Sequence, residues 1–157
     1  MKVVFLDFDG VLNHAKHFDD LRTGRVIADC LDDDESFDKV AVERVNVIVE
    51  RTGADVVVSS SWRCMFELSD ICDILKRHGF RGRVIGATPR LHRTPDGEAR
   101  VRGHEIQSWL DEHPDVEAFV ILDDDSDMAH LIPKLVKTSF ETGLQDEHVE
   151  RAIRMLS

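Results

Sequence analysis

Four short apolar runs, separated by segments of helical periodicity, constrain the fold more than any other feature of the sequence. The runs cover residues 3–6, 55–58, 83–85 and 118–122, and Val or Ile dominates three of them. Apolar runs of this length without polar alternation are typical of strands buried on both faces, as in a parallel sheet. A fifth strand is predicted over residues 135–138.

Amphipathic patterns fill the intervals between the runs. Apolar residues recur at helical spacing in four segments, residues 39–51, 66–78, 104–113 and 146–156. Gly53 and Gly79 follow the first two segments as stop signals, and Pro114 ends the third. Strands that alternate with helices predict an α/β fold, a three-layer doubly wound parallel sheet in a single domain of residues 1–157.

Two segments, residues 13–38 and 87–102, lack a periodic pattern and are predicted to be irregular. Each follows a strand, so both are expected at the carboxyl edge of the sheet, where ligands of such folds bind. Residues 13–38 have room for a flap or short insertion.

The charge of the chain is unevenly distributed. Its formal net charge of −11 argues against a general nucleic-acid binder. Residues 29–38 hold six acids and no base, and we interpret them as solvated surface. Residues 81–104, in contrast, hold six arginines against two acids, which suits local attraction of a nucleic-acid backbone or terminal phosphate.

Three cysteines, Cys30, Cys64 and Cys72, cannot all pair within one chain, and none forms a CxxC motif. Free thiols in a reducing cytoplasm are therefore expected. No apolar run approaches the ~20 residues that span a bilayer, and Asp7 and Asp9 interrupt any secretion signal. We expect a cytoplasmic protein without membrane association or a stable protein partner.

Polar side chains gather where three of the predicted strands end. They are Asp7 and Asp9 after the first strand, Ser59, Ser60 and Ser61 after the second, and Asp123 and Asp124 after the fourth. Crowded carboxylates repel one another and resist desolvation, so a cation is expected between them. Mg²⁺ favours carboxylate, water and phosphate oxygens, which makes it the predicted cofactor.

Three stretches carry a resemblance to a known family. "DFDGVL", "VVVSSSWR" and "VILDDDSDM" resemble the first, second and fourth motifs of the haloacid dehalogenase (HAD) superfamily of phosphatases. "SSSWR", "RGHEIQSWL" and "TGL" are further similar to the small single-domain HAD group of RNA-repair proteins, akin to the phosphatase domains of polynucleotide kinase-phosphatases. The resemblance implies a HAD-like Rossmannoid fold and a Mg²⁺-dependent phosphomonoesterase. Many relatives carry a cap domain, and no segment of this sequence is long enough for a separate one. An open site suits a macromolecular substrate, because the substrate itself excludes water.

The resemblance also implies roles for individual acids. Asp7 would be the nucleophile that forms a phospho-aspartyl intermediate, and Asp9 would act as general acid and base. Mg²⁺ would be held by Asp7, the backbone carbonyl of Asp9, and Asp124, with Asp123 orienting or neutralising the neighbouring cation. Gly10 would allow the chain to turn sharply beside the substrate phosphate.

The second motif leaves the phosphate-binding hydroxyl open between two serines. Ser60 is favoured by the resemblance, whereas Ser59 directly follows the apolar run, and Ser61 is expected close to the substrate. Arg63 could reach a substrate phosphate, or could equally be a surface arginine on a first helical turn. Trp62 is interpreted as a packing residue.

The third motif, which supplies a basic residue beside the nucleophile, also has two candidates. Arg102 directly precedes "GHEI" and matches best, and Arg100 is the alternative, since no lysine lies between Lys76 and Lys134. Arginine can replace the usual lysine through bidentate contacts, although it is not an equivalent point charge.

The expected function is hydrolysis of terminal phosphates on RNA or DNA, with a 3′-phosphate as one candidate. A phosphoprotein phosphatase or small-molecule phosphatase of the same fold is the alternative. A receiver-type signalling domain, which also accepts phosphate at a strand-end aspartate, is less favoured because it has no need of an acid such as Asp9.

Overall fold

A parallel sheet forms the centre of the fold. The computed structural model describes residues 1–24, 36–92, 97 and 99–157, and this part of the chain contains five strands. The strands are β1 (Lys2–Leu6), β2 (Asp55–Val58), β3 (Val84–Ala87), β4 (Ala118–Asp123) and β5 (Leu135–Lys137). They lie in the order β3-β2-β1-β4-β5, and every neighbouring pair is parallel. The predicted doubly wound α/β class is confirmed.

Helices cover both faces of this sheet. They are α1 (Ala15–Arg22), α2 (Lys39–Thr52), α3 (Leu68–Arg77), α4 (Arg102–Asp111) and α5 (Asp146–Leu156), with 3-10 turns at Ser61–Cys64 and Ala129–Lys134. Apolar residues of α2, α3 and α5 pack on one face, and those of α4 and the second 3-10 turn pack on the other. No separate cap domain is evident in the described ranges.

The position of β1 at the centre of the sheet explains why its residues 3–6 are uniformly apolar. Val4 and Leu6 belong to the cluster beneath α2 and α5, whereas Val3 and Phe5 belong to the cluster beneath α4. All four side chains are completely buried. Alternate residues of a strand point to opposite faces, so a strand covered on both sides has no position for a polar side chain.

The prediction that residues 13–38 are irregular is wrong in its first part, because α1 forms there. His14 caps this helix by accepting a hydrogen bond from the backbone N–H of His17, and Lys16 pairs with Asp20 one turn further on. A histidine cap and a polar composition lack the signals that usually reveal a helix start. Residues 25–35, which contain most of the acidic segment and Cys30, lie outside the described residues.

The second segment predicted to be irregular also ends earlier than expected. Helix α4 begins at Arg102, two residues before the predicted start at His104. Arg93 and the rest of residues 93–96, together with residue 98, lie outside the described part of the chain. Cys64 and Cys72 are free thiols. No helix among the described residues has the length and apolarity that a membrane span requires.

Candidate active site

The carboxyl ends of β1, β2 and β4 meet at one edge of the sheet. The backbone N–H of Asp7 donates to the carbonyl of Leu122 at 3.0 Å, and the N–H of Ser59 donates to the carbonyl of Leu6 at 2.9 Å. These bonds continue the parallel ladder one residue past each strand. Asp123, the last residue of β4, ends at the same level. The sheet therefore holds these polar side chains in fixed relative positions.

Three carboxylates converge at this edge. One oxygen from each of Asp7, Asp123 and Asp124 lies within 4.8 Å of the other two. Asp123 is 1% exposed, and its Oδ2 has no hydrogen-bond partner among the described residues. A buried anionic oxygen without a donor is costly, so this donor set fits a hard divalent cation such as Mg²⁺. The side chain of Asp9 is outside the set, and the metal contact predicted for its carbonyl stays a prediction.

The electrostatics of the cluster indicate a shortage of positive charge. Burial raises the pKa of Asp7, against the opposing effects of Arg102 and of a hydrogen bond from Ser60. Burial, followed by the charge of Asp7, raises the pKa of Asp123 to about 8. The pKa of Asp124 is also raised, again chiefly by burial. A bound cation would reverse all three shifts, because it favours the charged form of each carboxyl group.

Arg102 is the basic residue that the structure places beside Asp7. Its Nη1 lies 3.5 Å from Asp7 Oδ1 and 3.8 Å from Asp123 Oδ2. Burial alone would lower the pKa of Arg102, but these carboxylates raise it above its ordinary value. Arg100 forms no ion pair with either acid in the described structure. Arg102 thus occupies the position predicted for the third-motif cation.

The orientation of the Arg102 side chain depends on a close approach between the start of α4 and the loop after β4. The N–H of Gly103 donates to the carbonyl of Asp127 at 3.0 Å, and the N–H of Arg102 donates to the Asp127 carboxylate at 3.3 Å. A Cβ atom at Gly103 would overlap the backbone of Met128. Only glycine permits this contact. The sequence did not predict it, because the local pattern "RGHE" carries no information about a contact with Met128, which is distant in the chain.

Gly10 makes a second close approach within the site. Its φ of +78° is in the left-handed region, and an added Cβ would overlap the carboxylate of Asp124. Its N–H donates to Asn13 Oδ1 at 3.1 Å, and its carbonyl accepts from Thr138 Oγ1 at 2.6 Å. The sharp turn predicted at Gly10 is present and lies against Asp124. Contact of Gly10 with a substrate stays a prediction.

The carboxylate of Asp9 is held away from the three-acid cluster. Its Oδ1 accepts from Asn13 Nδ2 at 2.8 Å, and its Oδ2 accepts from Trp62 Nε1 at 3.3 Å. Trp62 packs against Phe8 and Phe37, as predicted, but it also orients Asp9. Sequence reasoning missed this role and that of Asn13. The available signal was that a largely buried indole N–H usually finds an acceptor.

The two candidate serines are both completely buried, in different settings. A hydrogen bond between the Ser60 hydroxyl and Asp7 lowers the pKa of Asp7, and Ser60 Oγ also accepts from the backbone N–H of Trp62 at 3.3 Å. Ser59 Oγ is buried without a hydrogen-bond partner in the described ranges. Ser61 is exposed at the start of the 3-10 turn. Ser60 is therefore the hydroxyl that contacts Asp7, and Ser59 still has an unused donor.

A known protein family matches most of the chain. Residues 3–149 match a family described as the HAD domain in Swiss Army Knife RNA repair proteins. The chain belongs to this family. No curated protein and no solved structure gives a significant match. The HAD resemblance predicted from the motifs is confirmed, and membership implies hydrolase activity of the phosphatase type in a family that generally uses Mg²⁺.

Arg63 of this HAD domain is bound within the protein. Its Nη1 donates to the Ser60 carbonyl at 2.6 Å, its Nε donates to the Thr88 carbonyl at 3.0 Å, and its Nη2 pairs with the Glu105 carboxylate. Arg63 is 8% exposed and Glu105 is 12% exposed. Glu105 also accepts from the Leu91 N–H at 3.1 Å. Arg63 thus braces the end of β2 against β3 and α4, and its predicted contact with substrate stays a prediction.

Proposed function

We propose that this HAD domain is a Mg²⁺-dependent phosphomonoesterase that works through a phospho-aspartyl intermediate on Asp7. The convergence of Asp7, Asp123 and Asp124 beside Arg102 is the observation that carries the proposal. Mg²⁺ bound by these acids would shield the nucleophile from the phosphate and stabilise charge in the transition state. The Asp9 carbonyl is proposed as a further ligand.

In the first half-reaction, a carboxylate oxygen of Asp7 attacks phosphorus. The bond from phosphorus to the ester oxygen breaks as the Asp7 acyl-phosphate forms, and Asp9 donates a proton to the leaving oxygen. In the second half-reaction, Asp9 takes a proton from water. The resulting hydroxide attacks phosphorus and releases inorganic phosphate and free Asp7. The hydrogen bonds from Asn13 and Trp62 hold Asp9 for both proton transfers.

Two further groups would bind the phosphoryl oxygens. Arg102 Nη1 is buried and has no hydrogen-bond partner in the described structure, so it retains a donor for an anionic oxygen. The hydroxyl of Ser60, which contacts Asp7 in the free protein, is proposed as the second donor and would turn its single O–H from Asp7 to the phosphoryl oxygen. Charge-assisted hydrogen bonds of this kind stabilise the phosphoryl group as it transfers.

The proposed substrate is a terminal phosphate of RNA or DNA, with the 3′-phosphate as the first candidate. The RNA-repair description of the family supports a polynucleotide end, and so does the open edge, which has no cap among the described residues. Phosphoproteins and small phosphate esters remain the rival substrates. A receiver domain is disfavoured because Asp9 is positioned by two N–H donors, which such a domain does not require.

The proposal is tested by comparing wild-type protein with Asp7→Asn, with and without EDTA. The substrates are a 3′-phosphorylated oligonucleotide, free nucleotides, sugar phosphates and a phosphopeptide. Asp115→Asn changes an exposed acid whose carbonyl contacts the amino group of Met1, at the opposite end of the strands from the site, and as the matched control it should retain full activity. Full activity of Asp7→Asn, or activity that survives chelation, would contradict the mechanism. Equal turnover of the small esters would reject the polynucleotide substrate.

A further inference from the structure

A groove of about 350 Å³ opens beside Arg102. Four segments line it: the 3-10 turn after β2, residues 90–92 and 100–101 between β3 and α4, the first turn of α4, and Asp127 in the loop after β4. Its basic lining residues are Arg63, Arg90, His92, Arg100 and Arg102. The groove therefore begins at the same guanidinium that contacts the proposed nucleophile.

Two of these arginines have their charge matched inside the protein. Arg63 pairs with Glu105, and both side chains are nearly buried. Arg102 faces Asp7 and Asp123. Neither of them leaves an unmatched positive charge in the groove.

Arg90 and Arg100 differ, because neither forms an ion pair in the described ranges. The Nε of Arg100 is buried and has no hydrogen-bond partner there. The other acid in the lining, Asp127, already accepts from the Arg102 N–H at 3.3 Å. A buried guanidinium N–H without an acceptor is costly, and a phosphate oxygen is the acceptor that its geometry matches best.

We propose that this groove binds the internal phosphodiester next to the terminal phosphate, through Arg90 and Arg100. The domain would then hold a nucleic-acid strand by two successive phosphates, the terminal one at Asp7 and Arg102 and the internal one in the groove. This inference rests on the proposed phosphatase function of the same edge. It explains how an acidic protein can select a polynucleotide end over a mononucleotide.

The test compares three substrates that share one terminal 3′-phosphate: a nucleoside 3′-monophosphate, a dinucleotide, and the same dinucleotide with a neutral methylphosphonate linkage. KM for the natural dinucleotide should be about tenfold below that of the other two, the loss expected for a charge-assisted contact. Binding to Asp7→Asn, measured by fluorescence anisotropy, should show the same difference. The neutral linkage should also reduce the slope of log Kd against log salt by about 0.7.

Arg90→Gln and Arg100→Gln test the two residues directly. Each should raise KM for the natural dinucleotide about tenfold more than KM for the mononucleotide. Arg154→Gln, which removes an exposed charge from α5, is the matched control and should change neither value. Thermal midpoints identify any variant that fails to fold, and the methylphosphonate comparison needs no substitution in the groove.

The outcomes separate this inference from the proposed function. Equal KM and Kd for the natural and neutral linkages would overturn the groove while leaving the phosphatase intact. A linkage effect on binding without hydrolysis of any substrate would support the groove and reject the phosphatase. Preference for a doubly phosphorylated peptide over the dinucleotide would overturn the nucleic-acid assignment.

Discussion

Asp123→Asn is expected to stabilise the metal-free protein at alkaline pH. Asp123 is 1% exposed, and its pKa is raised from 3.8 to about 8 by burial and by the charge of Asp7. Between those two values the folded protein keeps a proton that the unfolded chain has released. Stability therefore falls as pH rises through this window. The slope is tenfold per pH unit in the unfolding constant, or about 4 kcal/mol at most between pH 5 and pH 8.

The assay is urea-induced unfolding at several pH values from 5 to 8, in EDTA, for wild type and Asp123→Asn. Asp7 and Asp124 also have raised pKa values, so the difference between the two proteins reports Asp123 together with its charge interaction with these two acids. The variant should gain most over wild type at pH 8 and least at pH 5. Excess Mg²⁺ should stabilise wild type at pH 8, because binding favours the deprotonated carboxylates, and should help the variant much less.

Asp125→Asn supplies the control, since it removes a more exposed carboxylate two residues away. Its free energy of unfolding should follow the wild-type pH dependence. Identical pH slopes for wild type and Asp123→Asn in EDTA would refute the reasoning. That result would mean that Asp123 is already ionised in the metal-free fold and that Arg102 suffices to balance it.

Three further substitutions test how the site is built. Gly103→Ala should destabilise the protein by about 1–3 kcal/mol and lower kcat, because the new methyl group forces α4 from the loop after β4. Glu105→Gln should cost about 3–5 kcal/mol by leaving Arg63 buried without its partner, and should also lower kcat. Trp62→Phe should keep the packing but remove the donor to Asp9, lowering kcat about tenfold with KM unchanged. Thermal unfolding and steady-state kinetics measure all three.

Matched variants elsewhere in the sheet separate positioning from stability. Gly86→Ala adds a methyl group where the nearest side-chain atom is 3.5 Å away, so both stability and kcat should be retained. Asp55→Asn breaks its pair with Arg83 at the opposite end of β2 and should lower stability without affecting kcat. If Glu105→Gln also leaves kcat unchanged, Arg63 and Glu105 serve the fold alone. An unchanged kcat in Trp62→Phe would likewise deny the indole a part in the reaction.

The strands were predictable because a strand buried on both faces requires a continuous apolar run, as in β1 and β4. Helix α1 was not, since its cap is His14 and most of its side chains are polar. The acids of the site followed from their positions after strands. The roles of Gly103 and Glu105 could not be inferred, because both depend on neighbours that are distant in sequence. Local patterns predict elements, whereas contacts between elements decide which side chains in a motif reach the chemistry.

The two aspartates of "DFDG" have different surroundings because they occupy different positions relative to the end of β1. Asp7 continues the alternation of β1, so it lies with Phe5 on the side of α4, where Arg102 and two further acids meet it. Asp9 lies beyond the strand, where the turn at Gly10 directs its carboxylate to the N–H donors of Asn13 and Trp62. Asp7 therefore lies inside the buried carboxylate cluster, beside Arg102. Asp9 is held outside that cluster by Asn13 and Trp62, in the separate position that the proposed two-carboxylate mechanism requires.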